Sequence, residues 1–183
     1  MAVYIMLANG FEEAEALVPA DILRRAGVDV FLTAIDNNTL ITGGHGIQTI
    51  ADTTIDKIDF SSLEAVVLPG GSKGTENLYN SEEVKNLINR CAAEGKYIGA
   101  ICAAPSILGR MGLLAGRRAV CYPSFEHYLE GSTVTNNLVE HDDIFITAKA
   151  AGASFEFGLQ LVRAIVGNEV ASRLAKEMYY SEK

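Results

Sequence analysis

The residue of this 183-residue chain whose setting most resembles a reactive one is Cys102. It stands where the apolar stretch Lys96 to Ile101 (KYIGAI) ends and a helix opens with Ala103, Ala104 and Pro105. A chain that leaves a strand and enters a helix within so few residues must turn sharply. That explains the small Ala100, Ala103 and Ala104, and Pro105 has the fixed φ suited to a first helical turn. A thiol at such a nucleophile elbow is presented rather than packed. Backbone N–H groups at a helix start favour thiolate over thiol, so a pKa of roughly 3.5 to 7.5 is expected for it. The alternative is a small buried hydrophobe at a strand end, since helix termini also hold inert cysteines.

A thiolate needs a partner that holds and tunes it, and the first helix offers Glu15. At about 100° per residue, Glu15 falls about 40° from Phe11 and about 20° from Ile22, in the arc that also holds Ala14 and Val18. Glu12 and Glu13 point elsewhere. A carboxyl on an apolar stripe is costly when charged. It is therefore expected to be protonated, to donate a hydrogen bond, and to have the raised pKa used in acid–base catalysis. Arg25 shares that arc, so the stripe could instead be a solvated or subunit-contact edge. Gly70-Gly71, after the strand Leu63 to Leu68 (LEAVVL), could bring a backbone N–H to a substrate oxygen, paired with the N–H of Ala103. An ordinary strand-to-loop turn is the simpler reading of the same glycines.

Other motifs point away from chemistry. Gly70 to Thr75 (GGSKGT) fails the phosphate-loop pattern, because Lys73 precedes Gly74 and no helix is expected to open there. NGFEEAE after the first strand lacks GxGxxG, so a dinucleotide site is disfavoured. Cys91 continues Val84, Leu87 and Ile88 at helical spacing and reads as a core thiol. Cys121, in the stretch RAVCYP, reads as core too, although it could be a second thiol near the site. Three cysteines without CxxC or Cys/His spacing indicate neither a disulfide framework nor a metal site. His45 in a Gly-rich hairpin tip and His141 in an acidic turn (EHDD) read as solvated. His127, after the strand ending at Tyr122, is the histidine expected nearest the sheet's carboxyl edge, where a Cys/His pair would need it.

The elements that must position these groups alternate. Apolar strands are expected at Ala2 to Ala8, Val28 to Ile35, Leu63 to Leu68, Lys96 to Ile101 and Arg118 to Tyr122, with β-prone stretches at Ser132 to Leu138 and Ile144 to Thr147. Helices are expected at about Glu12 to Ala26, from Ser81 to Gly95, Pro105 to Leu114, Ser154 to Val166 and Glu169 to Tyr179. Thr39 to Ile41 and Ile47 to Ile50 form a small hairpin across Gly43-Gly44-His45-Gly46. This alternation predicts an α/β fold with a mainly parallel sheet covered by helices on both faces, its sites at the carboxyl ends of strands. The length fits one domain over residues 1–183. With 15 Lys plus Arg against 23 Asp plus Glu, the net charge is −8. That balance argues against nucleic acid or an anionic membrane and for a small molecule or protein as partner. No apolar run of about 18 residues exists to cross a bilayer, and the short apolar start lacks the basic flank of a signal peptide, so a cytoplasmic protein is expected.

Four motifs carry a resemblance: Ala8-Asn9-Gly10-Phe11-Glu12-Glu13-Ala14-Glu15, Val67-Leu68-Pro69-Gly70-Gly71, Ile101-Cys102-Ala103-Ala104-Pro105 and Gly152-Ala153-Ser154-Phe155-Glu156-Phe157. In that order and spacing the chain resembles the ThiJ/PfpI family, on the branch of the Parkinson disease protein deglycase and its bacterial homologues. The resemblance runs essentially from end to end. It implies a flavodoxin-like three-layer α/β sandwich, a homodimer, a reactive cysteine at Cys102, a protonated glutamate at Glu15, and oxyanion-type N–H groups at Gly71 and Ala103. Two departures matter. Protease-like members carry a histidine directly after the nucleophile, where this chain has Ala103. Many nearer relatives carry a histidine beside the site where this chain has Tyr122, whose phenol titrates near 10.

The resemblance therefore implies a cysteine enzyme, with no metal or organic cofactor, acting on reactive carbonyls. Its substrates would be small aldehydes such as methylglyoxal, or glycated protein and thiol adducts, converted to a hydroxy acid such as lactate. A second expectation is an oxidative-stress sensor or chaperone in which Cys102 oxidises to a sulfinic acid held by Glu15. A cysteine hydrolase or peptidase is disfavoured by the lack of a well-placed histidine. Tyr122 and His127 are the candidates for supporting positions behind the cysteine.

Overall fold

The apolar run Ala2–Leu7 is buried along its whole length, which a strand achieves only when both faces of its sheet are covered. The computed structural model describes residues 1–181, so the last two positions of the expected 1–183 domain lie outside the described residues. In chain order the elements are β1 (Ala2–Leu7), α1 (Glu13–Arg25), β2 (Asp29–Ala34), β3 (Leu40–Thr42), β4 (Gln48–Ile50), β5 (Thr53–Thr54), β6 (Leu63–Leu68), α2 (Ser72–Asn80), α3 (Glu82–Ala93), β7 (Tyr97–Ile101), α4 (Pro105–Arg110), β8 (Arg118–Ala119), β9 (Thr133–Val134), β10 (Val139–Asp142), β11 (Phe145–Ala148), α5 (Ser154–Ile165) and α6 (Asn168–Glu177).

Seven strands form the main sheet in the order β10-β11-β7-β6-β1-β2-β5. All neighbours run parallel except β10, which pairs antiparallel with β11 at one edge. The two-residue period of β1 splits the core. Val3, Ile5 and Leu7 pack with α1, α5 and α6 on one face, while Ala2, Tyr4 and Met6 pack with α2, α3 and α4 on the other. Each large side chain fully buried in these layers, such as Ile5 or Leu7, contributes roughly 1.5 to 3 kcal/mol. The result is a flavodoxin-like three-layer α/β sandwich. Among the described residues no helix is long and apolar enough to cross a membrane.

The topology fixes where a site can form. From β1 the chain crosses through α1 to β2 on one side, and from β6 it crosses through α2 and α3 to β7 on the other. The two crossovers diverge, so a crevice opens at the carboxyl ends of β1 and β6, beside β7. The small hairpin β3–β4 stands apart from the main sheet, as its Gly-rich tip predicts.

Four local expectations change. A helix does open within GGSKGT: α2 begins at Ser72 because Gly71, at φ 86°, makes the reversal that an L side chain resists. Gly74 does not break that helix. It lets α2 approach Phe11, whose Cα and N would lie 2.7 Å from any added Cβ. The strand expected at Arg118 to Tyr122 shrinks to Arg118–Ala119, since the N–H groups of Val120 and Tyr122 donate instead to Thr147 Oγ1 (3.0 Å) and Cys102 O (2.7 Å). The acidic turn around His141 is strand β10, with the turn displaced to Asp143 at φ 57°. Finally, α4 stops at Arg110 rather than Leu114, and Gly112 at φ 72° turns the chain away.

Candidate functional site

Three strand ends converge on the crevice. Beyond β1, Asn9 Oδ1 accepts a hydrogen bond from Thr42 N–H (2.9 Å), and Asn9 O accepts one from Asn77 Nδ2 (2.8 Å). One residue thus ties both the hairpin and α2 to the loop that leads into α1. Beyond β7, Cys102 sits at φ 65°, in the left-handed region. Such a conformation costs of order 1 to 3 kcal/mol for a residue with a side chain and persists only where the surroundings enforce it. Here both its backbone groups are tied: Cys102 N–H donates to Ala148 O (2.8 Å), and Cys102 O accepts from Tyr122 N–H (2.7 Å).

Glu15, on the first turn of α1, is 1% exposed. Its Oε2 accepts a hydrogen bond from Gly70 N–H at 2.8 Å, and its Oε1 has no hydrogen-bond partner among the described residues. The two groups nonetheless lie around one point. A Cβ added at Gly70 would fall 2.6 Å from Glu15 Oε2 and 2.8 Å from Cys102 Cβ, so only glycine fits between them. Burial raises the Glu15 pKa to about 7 against the opposing pull of the Cys102 thiol and the Gly70 N–H. The carboxyl is therefore partly protonated at neutral pH, as its place on an apolar arc predicts.

The thiol departs from the sequence expectation. Cys102 is half-buried, and α4 begins only at Pro105, so the thiol does not stand at an open helix start. Burial and the charged Glu15 beside it push the thiol up to about 12, against the pull of the N–H groups of Ala103 and Gly71. Those influences are conditional. Protonation of Glu15 removes the carboxylate's repulsion and leaves two N–H groups directed at the sulfur, so the thiol is lowered when the glutamate carries a proton, while burial continues to raise it. The protonation of the two groups is therefore coupled.

Cys102, Ala103, Gly71 and Glu12 line a cavity of about 760 Å3, with the hairpin as one wall. Tyr122 is exposed and lines it as well; His127 does not. His127 lies on the surface with its ring centroid 3.9 Å from that of Tyr128, and the histidine at the cavity is His45. Its Nδ1 lies 3.0 Å from Glu13 Oε2 and 3.5 Å from Glu12 Oε2. Glu13, expected to point away from the core, is only 5% exposed because the hairpin covers it. Its Oε1 accepts from the N–H groups of His45 (2.9 Å) and Ile47 (3.3 Å). Burial works to raise the Glu13 pKa, but the hydrogen bonds from His45, its own backbone and Ile47 outweigh it and hold the carboxyl below its usual range. The hydrogen bond with Glu13, and then the charges of Glu12 and Glu13, raise the pKa of His45. No pattern in the sequence joins residue 45 to residues 12 and 13; the lone histidine of a GGHG tip was the available signal.

The remaining candidates fall away from the cavity. Cys91 and Cys121 are buried, and burial pushes each thiol up to about 12. His141 is half-buried, not solvated, with Nε2 2.8 Å from Asp143 O and Nδ1 3.0 Å from Gln160 Nε2. Arg25 is exposed and pairs with Asp21 at 2.8 Å, so it does not share the buried face of Glu15. Among the described residues, the cluster with spacing suited to a cation is Glu12, Glu13 and His45, where the histidine already bridges the two carboxylates.

Comparison with known proteins gives a consistent picture. Residues 1–164 match the model of the DJ-1/PfpI family. Protein DJ-1 homolog B of Arabidopsis thaliana is 36% identical over 92% of this chain, which spans about two fifths (39%) of that relative's length. A deglycase of Pyrococcus horikoshii is 34% identical over 69% of the chain and 75% of the relative. The crystal structure of a cysteine-to-alanine variant of a DJ-1 superfamily protein from Salmonella typhimurium superposes with a TM-score of 0.94 at 36% identity, covering 99% of both chains.

Proposed function

The chain belongs to the DJ-1/PfpI family, and from that premise we propose that it is a cofactor-independent cysteine enzyme converting reactive carbonyls of the methylglyoxal type to hydroxy acids, with Cys102 as nucleophile and Glu15 as proton carrier. The observation that supports this reading most is the buried Glu15 carboxyl, raised to a pKa of about 7, with one oxygen held by Gly70 N–H, the other without a hydrogen-bond partner among the described residues, and the Cys102 thiol close by.

The steps follow from that coupling. With the proton on Glu15, the Cys102 thiolate adds to the aldehyde carbon, and Glu15 gives its proton to the former carbonyl oxygen. The N–H groups of Gly71 and Ala103, which are directed at the sulfur, would serve that oxygen as donors. The carboxylate left behind takes the C–H proton from the hemithioacetal carbon, giving an enediolate; the proton on the first oxygen passes to the second, and Glu15 returns its own proton to the adjacent carbon. The product is a hydroxyacyl thioester in which one carbon has been oxidised and its neighbour reduced. Water cleaves the thioester, thiolate leaves, and Glu15 is reprotonated, so that methylglyoxal and water give lactate and a proton. The cavity of about 760 Å3 is far larger than a three-carbon aldehyde needs, and it has room for a glycated side-chain or thiol adduct as well.

Purified protein mixed with methylglyoxal in the absence of glutathione should form lactate, and Cys102→Ala should not. Equal turnover by the two proteins, or none by the parent, overturns the reading. One observation favours a second use of the same pair. A sulfinic acid formed at Cys102 by peroxide would find the N–H groups of Gly71 and Ala103 and a protonated Glu15 around its oxygens. The proposal includes a single domain that pairs as a homodimer; sedimentation equilibrium at micromolar concentration showing only the 19.6 kDa chain overturns the pairing.

A further inference from the structure

Conversion of a ketoaldehyde to a hydroxy acid moves protons at three places: the carbon-bound hydrogen and the two oxygens. Glu15 lies next to the sulfur and serves the carbon. The second oxygen of a ketoaldehyde joined to Cys102 needs its own proton donor in the cavity, one wall of which is the hairpin. There the cavity presents His45, which nothing in the chain's local pattern marks as functional.

We propose that His45 is a second catalytic residue of this site, donating a proton to the ketone oxygen as the enediol forms and taking one from the other oxygen as the thioester forms. The inference rests on the carbonyl reading of Cys102 and Glu15. Its geometry has three parts. His45 lines the same cavity as Cys102. Its Nδ1 is fixed at 3.0 Å from Glu13 Oε2, and because that carboxyl is held in its charged form, Nδ1 must carry the hydrogen. Nε2 has no partner among the described residues, so it is a lone-pair acceptor in the neutral ring and a donor in the charged one.

Glu13 is built for this hold. Its other oxygen is saturated by the N–H groups of His45 and Ile47, and it is almost wholly buried, so it cannot turn away from the ring. Gly43 is required at the wall: any Cβ there would collide with the Glu13 carboxyl. The charged and titratable groups around His45 are Glu12 and Glu13 at the start of α1, Lys73 on α2, Tyr122 across the cavity and Cys102 itself. The two carboxylates keep the ring charged toward neutral pH, which suits its first step as a donor.

The proton count closes. The imidazolium loses a proton to the ketone oxygen while Glu15 takes the C–H proton. Glu15 then returns its proton to carbon, and the hydroxyl on the sulfur-bearing carbon gives its proton back to His45. Both residues end this stage ready for thioester hydrolysis, with no outside acid consumed.

The test compares the parent with His45→Ala, His45→Gln and Cys102→Ala, following lactate from methylglyoxal and, separately, the rate at which iodoacetamide alkylates Cys102. General acid–base catalysis of this kind contributes about 10²-fold or more, so both His45 variants should lose about that much kcat with KM and alkylation rate near the parent's. Added imidazole should restore turnover to His45→Ala, whose hairpin leaves room for it, and not to His45→Gln. If His45→Ala and His45→Gln turn over like the parent while Cys102→Ala is dead, His45 has no catalytic role and the carbonyl reading stands. Loss of turnover that imidazole does not rescue, accompanied by altered alkylation, shows that His45 only shapes the hairpin and overturns the inference. If Cys102→Ala keeps parental turnover, or the parent forms no lactate, the carbonyl reading falls and His45 falls with it.

Discussion

Glu15→Gln separates the chemistry of the site from its cost to the fold. Glutamine keeps the shape of the side chain and can still accept the Gly70 N–H, but it cannot gain or lose the proton. Burial raises the Glu15 pKa from 4.5 to about 7, which corresponds to roughly 3 kcal/mol of preference for the protonated carboxyl in the folded state. The sign follows from proton linkage. A carboxyl with a raised folded pKa binds more proton in the native state between about 4.5 and 7, so its contribution is fully favourable below 4.5 and is lost as pH rises through 7. At pH 8 the parent therefore holds a buried, poorly compensated carboxylate, whereas the glutamine variant does not. Guanidinium unfolding at pH 5 and pH 8 should show the variant gaining on the parent by up to about 3 kcal/mol between the two conditions. The same variant should form no lactate from methylglyoxal while its Cys102 remains alkylatable. A stability difference between parent and variant that does not change from pH 5 to pH 8 refutes the buried-carboxyl reasoning. Retained turnover refutes its role as proton carrier.

Other outcomes follow from the same geometry. Limiting iodoacetamide should label Cys102 before Cys91 or Cys121, because it alone opens into the cavity. Labelling should be faster in Glu15→Gln, where the carboxylate's repulsion is gone; peptide mapping that finds Cys91 or Cys121 first removes the site. Gly70→Ala should cost about 1 to 3 kcal/mol and abolish turnover, since its Cβ would sit 2.6 Å from Glu15 Oε2 and 2.9 Å from Ile101 O. Unchanged stability and activity would show that Glu15 and Cys102 have slack between them. The N–H groups of His45 and Ile47 should be best protected from hydrogen exchange between the lowered pKa of Glu13 and the raised pKa of His45. Protection is lost below that range as Glu13 gains a proton and weakens above it as His45 loses charge; protection that rises steadily with pH contradicts the pairing of Glu13 with His45.

Local spacing was enough to reveal much of this molecule. Largely apolar runs of five or six residues mark β1, β6 and β7 because a strand covered on both faces needs no regular polar alternation. The 3.6-residue period placed Glu15 on the buried arc of α1, and small residues around Cys102 announced the sharp turn now seen as a left-handed φ. Residues distant in sequence decided the rest. Glu13 is buried by a hairpin that follows it by 32 positions, and a helical wheel has no knowledge of what covers each arc. The truncation of β8 reflects the Tyr122 N–H bonding to Cys102 O, a partner that no propensity in RAVCYP encodes. The expected thiolate failed for the same reason. A helix start lowers a thiol only where solvent and backbone dipoles dominate its surroundings, and in the folded chain burial and a carboxyl 87 positions earlier in sequence raise it instead. Periodicity fixes which face of an element is apolar; what meets that face, and therefore the protonation of every buried group on it, is set by packing between elements.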